Sequence, residues 1–131
     1  MKYSISKKTM ATQQTRFTVM GNDNADGIHT AALSGQLDAH TAPDLEKYLE
    51  HTIRTEGKKK VVLDFSTLEY ISSAGLGVLM GFIEDAREAG GDIKLAAVPE
   101  KIYHVLDLLG FPVIFTILPT VAEAEGAFVR G

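Results

Sequence analysis

The sequence lacks several features that identify particular classes of protein. It has no cysteine, which excludes a disulfide framework, a thiol nucleophile and a cysteine metal site, and which is typical of a cytoplasmic protein. Its 13 basic residues are outnumbered by 17 acidic ones, and the net charge of −4 argues against nucleic acid or an anionic membrane as the main partner. No apolar run reaches the ~18 residues of a membrane span, and the polar start predicts no signal peptide. We therefore expect a cytoplasmic location.

The composition predicts one globular domain. A chain of 131 residues with 45% apolar and 23% charged residues can bury a real core without disulfides or metals. The first residues are polar and show no apolar periodicity. We therefore predict a flexible N-terminal segment at 1–14 and a domain at 15–131.

The spacing of apolar residues predicts strands that alternate with helices. Strands are predicted at 15–20, 28–35, 58–65, 92–98 and 113–117. The first two resemble a hairpin, and a polar link is predicted to follow Phe65. Helices are predicted to begin near Thr41, Ser73, Pro99 and Thr120. The order β-β-α-β-α-β-α-β-α is typical of an α/β domain, with a small mixed sheet flanked by helices.

The same spacing predicts which side chains of the helices face the core. Leu76, Leu79, Ile83 and Ala86 form the buried stripe of the second helix. In the third helix, Ile102, Val105, Leu106 and Leu109 are predicted to point inward. Thr41 is a plausible N-cap of the first helix, and Gly57 is predicted to end it.

Two adjacent serines, Ser72 and Ser73, lie at the predicted start of the second helix. A structural interpretation is that one hydroxyl caps the helix by accepting hydrogen bonds from free amides. A functional interpretation is that a phosphate is added there, where free N–H groups and the positive end of the helix dipole would hold it. That phosphate would add roughly −1.5 to −2 charges, enough to break a docked interface. The residues alone leave both interpretations open.

No catalytic constellation accompanies the serines. The glycines of "GLGVLMG" resemble a dinucleotide fingerprint only faintly, because nine residues separate them from the predicted strand end at Phe65. A nucleophile elbow needs glycine two residues before the serine, where this chain has Tyr70 and Ile71. The four histidines show no metal-binding spacing, so no metal site and no cofactor are predicted. These observations favour a binding module over an enzyme.

Three segments resemble STAS domains, specifically the bacterial anti-sigma factor antagonists. They are "LSGQLDAHTAPDLEKYL", "VVLDFSTLEYISSAGLGVLM" and "GGDIKLAAVPEKIYHVLDLLGF", and the similarity runs from about Thr15 to Phe128. The resemblance implies a small sheet flanked by helices. It also implies partner switching, in which the unmodified antagonist binds an anti-sigma factor that is also a serine kinase of the ATPase-kinase fold. Phosphorylation releases the antagonist, and a PP2C-like phosphatase restores it.

The resemblance implies roles for particular residues. Ser73 matches the phosphorylated serine. Many relatives carry aspartate just before that serine, where this chain has Ser72, and serine or threonine just after it, where this chain has Ala74. Because Ser72 also has a hydroxyl, it is a second candidate for phosphorylation. Asp38 and Asp64 match acids that we expect near the phosphorylation site. The predicted partner-binding residues are Asp38, Asp64, Ser72, Ser73, Ala74, Gly75 and Gly77. The alternative function is a STAS scaffold, a transport-accessory module or a nucleotide sensor without a phosphorylation switch.

Overall fold

The structure, a computed structural model, describes residues 16–130. These residues fold around a five-stranded mixed sheet. The predicted flexible segment 1–14 lies outside the described residues. The strands are β1 (Phe17–Asp23), β2 (His29–Leu37), β3 (Lys60–Ile71), β4 (Asp92–Ala96) and β5 (Ile117–Leu118). They lie in the order β1-β2-β3-β4-β5; β1 and β2 are antiparallel, and the other pairs are parallel.

The helices cover the two faces of the sheet unequally. They are α1 (Ala42–Leu49), which continues into a π-helical turn at Glu50–Thr55, α2 (Ser73–Glu88), α3 (Glu100–Leu108), α4 (Phe111–Ile114) and α5 (Val121–Arg130). Val61 and Leu63 belong to the main core with the first four helices, whereas Val62, from the opposite face of the same strand, packs with Ala124 of α5. The predicted α/β class, the single domain and the mixed sheet are confirmed.

β3 is longer than the sequence predicted. The proposed polar link after Phe65 is instead part of β3, which continues to Ile71 beside β2. The pairing shifts register twice, and at the first shift the Asp64 carboxylate accepts a 2.9 Å hydrogen bond from the Ser66 N–H. Such bulges add residues to one strand and break its alternating pattern. The buried Leu68 and Ile71 show that this segment still belongs to the core.

The predicted strand at 113–117 is wrong for most of its length. The chain forms α4 there, and only Ile117–Leu118 pair with β4. Val113 is 91% exposed, while the rings of Phe111 and Phe115, one helical turn apart, stack 5.3 Å from each other and are buried. Leu109, which was predicted to point inward, is 57% exposed because α3 has already ended at Leu108.

α2 packs very closely against the ends of β2 and β3. A Cβ atom on Gly75 would lie 2.6 Å from Leu37 Cγ and 3.2 Å from Ile71 Cγ1. Gly77, two residues further on, is exposed, and a Cβ atom there would meet nothing within 4 Å. Gly75 therefore sets how near the start of α2 approaches the sheet.

A polar network joins the β1–β2 hairpin to α1. The buried His29 places Nδ1 2.7 Å from Asp23 Oδ1 and Nε2 2.5 Å from the Tyr48 hydroxyl. Lys58 Nζ donates to Asp23 Oδ2 at 2.8 Å. The hydrogen bond from Lys58, followed by that from His29, lowers the pKa of the Asp23 carboxyl below its ordinary value of 3.8.

We predict that Gly75→Ala destabilises the fold by about 1–3 kcal/mol, because Leu37 and Ile71 must move to admit a methyl group. Gly77→Ala is the matched control and should gain up to about 1 kcal/mol, since alanine is the better helix former. Urea denaturation of both variants measures the difference. A Gly75→Ala protein as stable as the wild type would show that the contact with Leu37 is not tight.

We predict that Asp23→Asn lowers the free energy of unfolding at neutral pH but has progressively less effect in acid. A depressed pKa in the folded state stabilises the fold above the ordinary value and loses that contribution as pH falls through the folded value. Denaturation at neutral pH and at steps below pH 3.8 checks this. Asp26→Asn, in the hairpin loop that follows Asp23, is the control, because Asp26 makes no ion pair within residues 16–130. A difference that stays constant with pH would contradict the prediction.

Candidate functional site

Ser72 connects β3 to α2 and is the structural serine of the pair. Its N–H donates to the Leu37 carbonyl at 2.8 Å, which ties the end of β3 to the end of β2. Its backbone is extended, and its Oγ is the acceptor for the Gly75 N–H at a long 3.5 Å. Its carbonyl accepts the Leu76 N–H at 3.0 Å, the first hydrogen bond of the helix. Ser72 is therefore the N-cap of α2.

Ser73 is the first residue of α2 and is exposed. Its hydroxyl makes no hydrogen bond to another residue within the described part of the chain. The first turn of α2 itself contains no acidic side chain, and the start of a helix is the positive end of its dipole. The Ser73 hydroxyl is accordingly accessible and lies beside a positive electrostatic end.

The outer surface of α2 next to Ser73 is made of small residues. Ala74, Gly77 and Gly81 are exposed, and Met80 is 40% exposed. Leu76 and Leu79, on the inner side, are buried as predicted. Gly75, one of the predicted partner-binding residues, is also buried and lies beneath this surface. The resulting face carries no charged side chain, which suits docking against another protein.

Asp38 lies close to the serines because it follows Leu37 at the end of β2. Its carboxylate accepts hydrogen bonds from the backbone N–H groups of His40 at 2.9 Å and Thr41 at 3.1 Å, and it pairs with the guanidinium of Arg16. Thr41 occupies the N-cap position of α1, but its hydroxyl donates to the Gln36 carbonyl at 2.7 Å instead of capping the helix. Asp38 thus shapes the turn that precedes α1.

The ionisation of Asp38 reflects these contacts. Partial burial acts to raise the pKa of its carboxyl, but the N–H groups of Thr41 and His40, together with the charge of Arg16, outweigh burial and lower the pKa below its ordinary value. Asp38 is therefore an anion at neutral pH, and its carboxylate oxygens are already bonded to groups within the protein.

Asp64 does not lie at this site, contrary to the expectation from the sequence. It pairs with Ala32 and Ala96 in the middle of the sheet. Ala32 and Leu37, the partners of Asp64 and Ile71, are five residues apart in β2. At ~3.3 Å per residue, about 16 Å separates Asp64 from the end of β3. Its carboxylate supports the bulge at Ser66 instead.

The structure brings together most of the predicted partner-binding residues, namely Asp38, Ser72, Ser73, Ala74, Gly75 and Gly77. Sequence reasoning missed Tyr70, which is 50% exposed two residues before Ser72. Its exposure follows from the continuation of β3, in which it alternates with the buried Ile71. It also missed Arg16, whose ion pair joins β1 to Asp38 and carries no local sequence pattern.

Two features are absent from the part of the chain that the structure describes. Between residues 16 and 130, no group of three or more histidine, aspartate or glutamate side chains is arranged to hold a metal ion. Within the same range, no helix has the length and apolar character to cross a membrane.

The chain is similar to proteins of one family along most of its length. The sequence model of the STAS domain matches residues 22–124. The BtrV protein of Bordetella bronchiseptica is 33% identical over 106 residues, which cover 81% of this chain and 90% of BtrV. The anti-sigma F factor antagonist of Paenibacillus polymyxa is 29% identical over 93 residues, covering 71% of this chain and 77% of that protein.

Solved structures agree with these similarities. The crystal structure of an anti-sigma factor antagonist from Mycobacterium paratuberculosis superimposes with a TM-score of 0.78 at 27% identity, covering 86% of this chain and 93% of that one. With the sheet order, the position of the serine pair and these matches in agreement, the chain belongs to the STAS domain family.

Proposed function

We propose that this protein is an anti-sigma factor antagonist controlled by phosphorylation of Ser73. In this proposal the unphosphorylated protein binds an anti-sigma factor, and phosphorylation releases it. The observation that supports it most directly is the separation of roles at the start of α2, where Ser72 caps the helix and Ser73 leaves its hydroxyl exposed. The names of the relatives, among them the anti-sigma F factor antagonist of Paenibacillus polymyxa, support the general role.

The surroundings of Ser73 would tolerate a phosphate without loss of the fold. The free N–H groups and dipole of a helix start stabilise an anion. α2 is anchored well away from that point, because Leu79, Phe82 and Ile83 are buried in the main core. We therefore expect the phosphorylated protein to keep its structure.

The same phosphate would disrupt docking. The face formed by Ser73, Ala74 and Gly77 is exposed and carries no charge of its own. A partner that covers this face would have to bury a group with roughly −1.5 to −2 charges. Burying an unpaired charge costs far more than one typical contact supplies. A local change at one hydroxyl is thus sufficient to separate the two proteins.

The expected partners follow from membership of the family. The binding partner is proposed to be an anti-sigma factor that is also a serine kinase of the ATPase-kinase fold, which uses ATP to modify Ser73. A PP2C-like phosphatase is proposed to remove the phosphate. Asp38 flanks the face through the hydrogen bond between Leu37 and Ser72, so we include it in the partner-binding surface.

We predict opposite behaviour from two substitutions of Ser73. Ser73→Ala should bind the partner but resist phosphorylation, and Ser73→Glu should stay folded but bind at least about tenfold more weakly, a change of ~1.4 kcal/mol. Binding is measured by calorimetry with the anti-sigma factor kinase recovered by pull-down from the native cell. Thermal melting confirms that both variants are folded.

Ser72→Ala is the matched control at the neighbouring hydroxyl. It should remain a kinase substrate and should melt at a lower temperature, because loss of an N-cap costs about 0.5–2 kcal/mol. Phosphorylation sites are mapped by mass spectrometry after incubation with the kinase and ATP. Phosphate on Ser72 alone, or unchanged binding by Ser73→Glu together with no phosphate on either serine, would overturn the proposal and favour a scaffold role.

We also propose that the protein has no catalytic activity of its own. The Ser73 hydroxyl is without a hydrogen-bonded histidine or carboxylate among the described residues, whereas an activated nucleophile needs an adjacent base. Purified protein, free of kinase, should therefore hydrolyse neither ATP nor an activated ester above the buffer rate. Hydrolysis that disappears in Ser73→Ala would contradict this expectation.

A further inference from the structure

A second surface feature lies at the other end of α2 from Ser73. It is a cavity of about 280 Å³ between the start of β3, the link from α2 to β4, and α5. Its lining residues are Lys60, Gly90, Gly91, Asp92, Lys94, Ala127 and Phe128. Since α2 has 16 residues at ~1.5 Å each, about 24 Å separates this cavity from the start of the helix. We refer to it as the lysine cavity.

The lysine cavity concentrates positive charge in a protein that is acidic overall. Lys60 and Lys94 line it, and Lys59 Nζ lies 3.6 Å from where a Cβ atom of Gly90 would be. Asp92 is the acidic side chain in the lining, and it is shared by two cations: Arg87 Nε at 2.9 Å and Lys94 Nζ at 3.1 Å. The lining therefore carries two lysines and one aspartate, and Lys59 lies beside it, while the chain as a whole has a net charge of −4.

The positions of these groups are fixed by local packing. The Lys94 side chain is only 13% exposed, and its ammonium lies 4.6 Å from the centre of the Phe128 ring. The contact with the ring, together with Asp92, holds the Lys94 ammonium in place. Arg87 also donates to the Ile114 carbonyl at 2.6 Å, so its guanidinium is already bonded to groups within the protein. Lys60 makes no ion pair with any residue that the structure describes.

Two glycines let the link from α2 approach the backbone of Lys59 closely. A Cβ atom on Gly91 would lie 2.0 Å from the Lys59 carbonyl oxygen, so no other residue fits without moving the backbone. Gly90 has a φ of +93°, a conformation that glycine adopts readily and other residues rarely do. The Asp92 N–H donates to the Lys59 carbonyl at 2.8 Å and Lys60 pairs with Asp92 in the sheet, so both lysines lie beside the start of β4.

We propose that the lysine cavity binds a small soluble phosphate monoester. Several ammonium groups around one space suit a multiply charged anion, and lysine binds phosphate as a compact point charge. The ring of Phe128 adds an apolar wall, so a phosphate that carries an apolar or aromatic group should bind better than phosphate alone. This site is independent of the Ser73 switch and does not require the proposed function to be correct.

The test uses the whole protein, with inorganic phosphate and phenyl phosphate as probes at constant ionic strength. Backbone amide NMR shifts of Lys60, Gly90 and Gly91 should change saturably, and phenyl phosphate should bind more tightly than phosphate. Lys60→Gln should weaken both by about tenfold, the loss of one charge-assisted hydrogen bond. Lys47→Gln, an exposed lysine of α1 with the same change in charge, should leave both unchanged. Phe128→Leu should reduce the preference for phenyl phosphate.

Several results would overturn this proposal. One is that the NMR shifts do not saturate with added phosphate. Another is that Lys60→Gln and Lys47→Gln weaken binding equally, which would indicate only general electrostatic attraction. A third result is binding to phosphatidylcholine vesicles containing phosphatidic acid without binding to phenyl phosphate, which would assign the surface to membranes. Unchanged shifts elsewhere in each variant confirm that the fold is retained.

Discussion

The pairing of β2 with β3 determines where α2 begins, and the rest of the candidate site depends on that position. Leu37 is the last residue of β2, and its carbonyl accepts a hydrogen bond from the Ser72 N–H. Its side chain packs directly against Gly75. The end of one strand therefore fixes both the backbone that enters α2 and the depth at which its first turn packs. Because Asp38 follows Leu37 directly, the same pairing brings an acid to the start of the helix.

This arrangement lets two neighbouring serines do different work. The first satisfies backbone groups at the helix start, and the second is left with an exposed hydroxyl. Around it, Ala74 and Gly77 add no charge to the surface, while Leu76 and Leu79 face the core. We propose that the fold is therefore insensitive to a charge at the second serine, whereas a protein docked on that surface would not be. A switch of this kind needs no conformational change, because the charge alone alters what can bind.

Much of this was predictable from the sequence, and the failures have physical causes. The α2 helix could be recognised because Leu76, Leu79, Ile83 and Ala86 recur at helical spacing. The last part of β3 could not, because two shifts of register remove its alternation, and Asp64 was consequently expected at the end of the strand and not in its interior. Residues 113–117 are rich in strand-forming side chains, yet the stacking of Phe111 on Phe115 favours a helical turn. The lysine cavity joins residues from three distant segments, so no local pattern indicates it.

The central claim, that Ser73 is free to carry a phosphate while Ser72 is structural, can be tested most directly with phosphoserine incorporated at each position during synthesis. Thermal melting and partner affinity are then measured on both proteins and on the unmodified chain. We predict that the protein with phosphoserine at 73 melts like the unmodified chain and loses its partner. A protein phosphorylated at 73 that unfolds at a much lower temperature, or that binds its partner with unchanged affinity, would contradict it.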